Sequence, residues 1–71
     1  MAIQALLFSL MDFNNQQCHS WMKKHDFIPI KHQHVTGNYR RFRIIEPNTK
    51  HKYKTITIQR YPLIKAIYFS N

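Results

Sequence analysis

Apolar side chains return at helical spacing in one stretch of this chain. Cys18, Trp21, Met22 and His25 stand at i, i+3, i+4 and i+7, which puts them on one face of an α-helix. Asn14 supplies an N-cap, and Gln17, three residues on, supplies the capping-box partner. Phe13 and Cys18 fill the two staple positions around that cap. Gln16, His19, Ser20, Lys23 and Lys24 fall mostly on the opposite face. The spacing predicts a helix from about Asn15 to His25, and Pro29 bars its continuation. A chain with one short helix must build its fold from strands.

The strand signals sit on both sides of the helix. Ala2 to Phe8 is a short, nearly continuous apolar run, suited to a strand central in a sheet or buried on both faces, with a helix as the alternative although the run is short for one. Thr36-Gly37-Asn38 holds the chain's one glycine and reads as a hairpin turn. The incoming strand is expected over about Ile28 to Val35, or with a start after Pro29, and the outgoing strand over about Tyr39 to Ile45. In the latter, Phe42 and Ile44 point one way, Arg41 and Arg43 the other. Pro47-Asn48 marks a second turn. Tyr53 to Gln59 reads as the next strand, with Ile56 and Ile58 inward and Thr55 and Thr57 outward. Pro62 ends it, and Leu63 to Phe69 is a last apolar strand that can sit beside the first. The expected fold class is α+β: a single helix packed on a small antiparallel sheet, in the order β-α-β-β-β-β, as one domain over residues 1–71.

Size and charge narrow the function. Seventy-one residues bury a smaller share of their surface than a longer chain does, so stability is modest. One cysteine, Cys18, allows no intrachain disulfide and fits a reducing compartment. Hydrophobic residues make up 44% of the chain, enough for a core despite the charge. Eleven Lys and Arg face three acids, a net charge of +8, and such a surplus attracts polyanions. The longest apolar run, Ala2 to Met11, is about half the roughly 20 residues a membrane-spanning helix needs. It lacks the basic flank and cleavage site of a secretory leader. An intracellular or virion protein, not secreted and not membrane-bound, is expected.

The motifs also resemble a known family. The helix reads Phe13-x4-Cys18-x2-Trp21-Met22-x2-His25. It is followed by Asn38-Tyr39-Arg40-Arg41-Phe42-Arg43-Ile44, then Pro47, then Tyr53-Lys54-Thr55. This is similar to a small uncharacterised domain of large DNA viruses and tailed phages. That domain's pattern is aromatic-x4-Ala-x2-Trp-Leu-x2-His, then a Tyr-x-Arg-Phe-Arg-like strand and an Ile-rich closing strand. The similarity spans nearly the whole chain. Phe13, Cys18 and Met22 depart from the pattern but keep its apolar character. Some phage members resemble parts of capsid-assembly proteins, so the resemblance implies a viral setting and little chemistry.

The candidate site is the basic segment. Seven of the eleven cations, Arg40, Arg41, Arg43, Lys50, Lys52, Lys54 and Arg60, fall within one stretch, with Glu46 the single acid among them. Tyr39, Phe42, Tyr53 and Tyr61 interleave. Cations bind phosphates and aromatics stack on unpaired bases. The plainer reading is a solvated face whose charges protect strand edges, but a surplus this one-sided exceeds what solubility needs. Strand parity assigns Phe42 to the core and leaves Tyr53 as the stacking residue. Arg41 and Arg43, about 7 Å apart on one face, can meet one run of phosphates. Arg40 shares the parity of Phe42 but lies near the turn, within reach of solvent.

Other constellations weigh less. His25 is best read as a cap on the last helical carbonyls, and Trp21 as a packing anchor. Cys18 and His25 stand roughly 10 Å apart along a helix, too far for a nucleophile and its base. His32-x-His34, joined by His51 or Cys18, lacks the ligand-pair spacing of a zinc site. The two histidines read as one strand face carrying extra positive charge. Asp12 is expected near the helix start, where its charge favours the dipole. No phosphate loop or carboxylate pair exists, so neither an enzyme nor a cofactor is expected. The expected partner is nucleic acid, DNA or RNA. The rival is an acidic protein surface in a virus particle or other assembly.

Overall fold

The computed structural model describes residues 2–48 and 50–69. The elements are β1 (Ala2–Ser9), α1 (Asn15–Lys24), β2 (His34–Thr36), β3 (Tyr39–Arg43), β4 (Tyr53–Gln59) and β5 (Ile64–Phe69). The five strands form one antiparallel sheet in the order β2-β3-β1-β5-β4. The first strand is therefore central, with the last as its neighbour, as the apolar density of both runs predicts. The helix lies on one face.

The helix ends are set locally. Asn14 accepts from the Gln17 N–H at 2.8 Å, and the Gln17 side chain accepts from the Asn14 N–H at 2.9 Å, a reciprocal capping box. At the other end Phe27 N–H donates to the Met22 carbonyl and Asp26 N–H to that of Lys23, a Schellman motif. It puts Asp26 at φ +62°. Phe27 folds back parallel to Trp21, ring centres 6.0 Å apart. His25 caps as expected: its Nδ1 lies 2.8 Å from the Trp21 carbonyl oxygen, and its ring stacks on the indole at 4.0 Å.

The core forms between helix and sheet from Leu6, Phe8, Phe13, Cys18, Met22, Phe42, Ile64 and Ala66. Phe8 is its centre, meeting Phe13, Trp21 and Phe42 edge to face at 5.1–5.7 Å, the geometry that aromatic quadrupoles favour. Burial pushes the Cys18 thiol up to about 11, partly opposed by the charge of Arg40.

Three expectations need correction. The strand before the hairpin is His34–Thr36, not Ile28–Val35. Residues 28–33 run as loop, and Ile28 and Ile30 are exposed. His32 therefore lies outside the strand that carries His34. Ile58 is exposed, because an irregularity between Thr57 and Gln59 leaves it unpaired. Asp12 lies two residues before the N-cap, near the helix start as expected, and accepts from the Leu63 N–H at 3.0 Å, which ties the entry of the helix to the β4–β5 turn. The chain also contains an unforeseen bulge at Gln4, between Ile3 and Ala5 of β1. It turns Ile3 to the helix side while Ala2 and Ala5 share the opposite face. Gln4 is buried and donates from Nε2 to the Ile45 carbonyl at 3.0 Å.

Candidate nucleic-acid interface

Successive side chains of a strand alternate between faces, so the pairing registers specify what stands on the face away from the helix. One row across the sheet is His34, Arg41, Leu7, Lys65 and Thr57. The next is Arg43, Ala5, Ile67 and Thr55. Thr36, Tyr39 and Ser9 lie beyond one end, and Ala2, Phe69 and Tyr53 beyond the other. Among the described residues neither a helix nor a strand lies over this face. Leu7, Tyr39, Arg41, Arg43, Tyr53, Lys65, Ile67 and Phe69 are all half-buried, while the central Ala5 is closed off by its neighbours.

The face is thus an apolar strip, Leu7 and Ile67, flanked by cations and closed at both ends by aromatic rings. Lys65 Nζ stands 5.4 Å from the Tyr39 ring centre, a cation–π distance. At the far end His51 stacks on Phe69 at 4.3 Å, and Tyr53 meets Phe69 edge-on at 5.7 Å. The Tyr53 hydroxyl accepts from the Asn48 N–H at 2.6 Å and donates to its carbonyl at 3.1 Å, which locks the ring in place. Among the described residues the Nδ1 of His51 is buried without a hydrogen-bond partner.

The seven cations of the basic segment and Tyr53 do not form one patch. Arg41, Arg43 and Tyr53 share the open face. Arg40 faces the helix side: its Nε donates to the Phe13 carbonyl at 3.3 Å and its Nη1 to Gln33 Oε1 at 3.1 Å. Lys54 pairs with Tyr68 and so also faces the helix side, exposed at the sheet edge. Lys50 and Lys52 are exposed in the loop before β4, and Arg60 in the turn after it, at opposite ends of a seven-residue strand. Lys65 was missed because it lies outside the dense cationic stretch. Its signal was its alternation with Ile64 and Ala66, which points it away from the core.

The histidines and the cysteine separate as well. His32 and His34 lie near β2, His51 stacks on Phe69, and Cys18 is in the core. Among the described residues no three His, Cys, Asp or Glu side chains converge as a metal-holding group, and no helix is long and apolar enough to cross a membrane. Compared with protein-family models, curated proteins and solved structures, the chain matches none.

Proposed function

We propose that this protein is a non-enzymatic binding module that holds single-stranded nucleic acid on the open face of its sheet. The observation that carries the reading is the composition of that face. Arg41, Arg43 and Lys65 stand beside Leu7 and Ile67, between Tyr39 and the Tyr53–Phe69 pair, with no acid in the rows. Cations track phosphates, and aromatic rings on a sheet accept unstacked bases. A duplex hides its base faces and offers phosphates alone, so it meets only half of this surface. The viral setting implied by the resemblance belongs to the same proposal.

The test is anisotropy of a labelled random oligonucleotide, single-stranded and duplex, at two salt concentrations. The expected outcome is tighter binding of the single strand, with affinity falling steeply as salt rises. Non-specific binders still show dissociation constants of about 10⁻⁴–10⁻⁶ M at physiological salt. Absence of binding there would overturn the reading in favour of an acidic protein surface within an assembly.

A further inference from the structure

At the β2 edge of the open face lies a cavity of about 190 Å³ lined by Lys31, His32, His34, Arg41 and Arg43. Every lining side chain is a cation or an imidazole. Arg41 and His34 come from paired positions of β3 and β2, and Arg43 stands two residues along. Lys31 and His32 come from the loop before β2, which the Ile30 N–H holds against the Arg43 carbonyl at 2.9 Å. The pocket is thus assembled from three pieces of chain with a hydrogen bond fixing the joint. Guanidinium and ammonium groups offer donors only, and each imidazole offers at least one more. The space is many times what one water needs, and a phosphoryl group fits it.

The chain itself supplies a carboxylate at the rim. Glu46 lies 3.2 Å from Lys31 Nζ and 3.6 Å from Arg43 Nη1. Its oxygens show that anionic oxygen is accommodated between those two groups. Both carboxylate and ammonium are more than half exposed, and exposed ion pairs of this kind are weak. A ligand with more charge and more acceptor oxygens than a carboxylate can displace Glu46 at little cost.

We propose that this pocket is a phosphoryl-group site, and that its ligand is the terminal phosphate of the strand lying across the open face. The second part rests on the proposed function. The first does not. A terminal phosphate carries more charge near neutral pH than an internal diester, and five donor side chains with no lining acid favour the more highly charged group. The position at the sheet edge, where the open face ends, fits a strand terminus better than a continuing strand. Free phosphate or a phosphorylated small molecule shares the same chemistry.

Two measurements separate these sources. First, isotope-labelled protein is titrated with inorganic phosphate and followed by NMR. The expected shifts concentrate at Lys31, His32, His34, Arg41 and Arg43. Glu46→Gln should tighten binding and Lys31→Gln weaken it; both positions are exposed, so folding survives. Shifts spread evenly over all eleven cations, with Glu46→Gln inert, would overturn the site. Second, oligonucleotides with and without a terminal phosphate, placed at either end, are compared. The expected preference for one phosphorylated end is roughly tenfold, as one charge-assisted hydrogen bond implies, and Lys31→Gln should abolish it. Phosphate binding at the five residues without any terminal preference supports the pocket and overturns the strand end as its source. Phosphate binding there without oligonucleotide binding upholds the pocket while the proposed function falls.

Discussion

Trp21 shows how one residue can anchor a fold without being fully enclosed. Its indole is half-buried, packed edge-on to Phe8 and near-parallel to the rings of His25 and Phe27. Trp21→Ala removes all three contacts in a core with no disulfide. The loss should be about 3 kcal/mol, the low end for large aromatics because part of the ring already meets water. Thermal melts measure it, and an unchanged melting temperature would mean that the three contacts contribute nothing. Cys18, by contrast, is fully enclosed, and its thiol holds its proton to about pH 11 rather than 9.0. The unfolded chain releases that proton first as pH rises. The Cys18 contribution is therefore complete below pH 9.0 and lost on the way to 11, by at most about 2–3 kcal/mol. Comparing melting temperatures with Cys18→Ala across that window isolates it: the advantage of the native residue should shrink with pH. A constant difference would refute the linkage.

At the scale of elements, the turns carry their own tests. Asp26 occupies the left-handed position of the Schellman motif, where glycine has no steric penalty. Asp26→Gly should stabilise the protein by up to roughly 1 kcal/mol, since the side chain makes none of the hydrogen bonds that close the helix. Urea unfolding reads the change, and a loss of stability would show that the carboxylate has another role. Gly37 is the mirror case. It has φ +55°, and a methyl group there would touch nothing, so Gly37→Ala costs only the backbone strain, about 1–2 kcal/mol. The capping box, the hairpin turn and the β4 boundaries were legible because each depends on residues within a few positions of one another. The bulges at Gln4 and Ile58 were not. The one at Gln4 is an extra residue relative to a strand at the other end of the chain, and the one at Ile58 an extra residue within the β4–β5 hairpin; strict alternation registers neither, and so placed Ile58 inward when the fold leaves it exposed.

The whole molecule decides which cations act together. Arg41, Arg43 and Lys65 stand on one face, while Arg40 and Lys54 point to the other. Arg41→Ala with Arg43→Ala should weaken binding of all sequences alike and reduce the salt slope by about 1 per phosphate lost, with folding almost unchanged. Lys65→Ala should act in the same direction, whereas Arg40→Ala should lower stability more than affinity, through the loss of its bonds to Phe13 and Gln33. Tyr53→Ala should harm single strands more than duplex, by about 1–3 kcal/mol if it stacks a base. Parallel binding and melting measurements on each variant separate these outcomes; equal affinity losses for Arg40 and Arg41 would show that the faces do not divide the work.

By itself the sequence determined one helix with both its ends, the hairpin at Gly37, the inward set of Phe42 and Ile56, and the paired orientation of Arg41 and Arg43. Those features follow from periodicity and local capping, which a chain carries wherever it folds. Only the tertiary structure decided that, among the described residues, one sheet face has no helix over it, that Lys65 joins Arg41 across Leu7, and that Lys31 and His32 come to lie beside Arg43. The reason is physical. A row across a sheet is assembled by pairing registers between residues up to 67 positions apart (Ala2 with Phe69), and those registers are selected by the packing of Phe8 and its neighbours against the helix rather than by any local spacing.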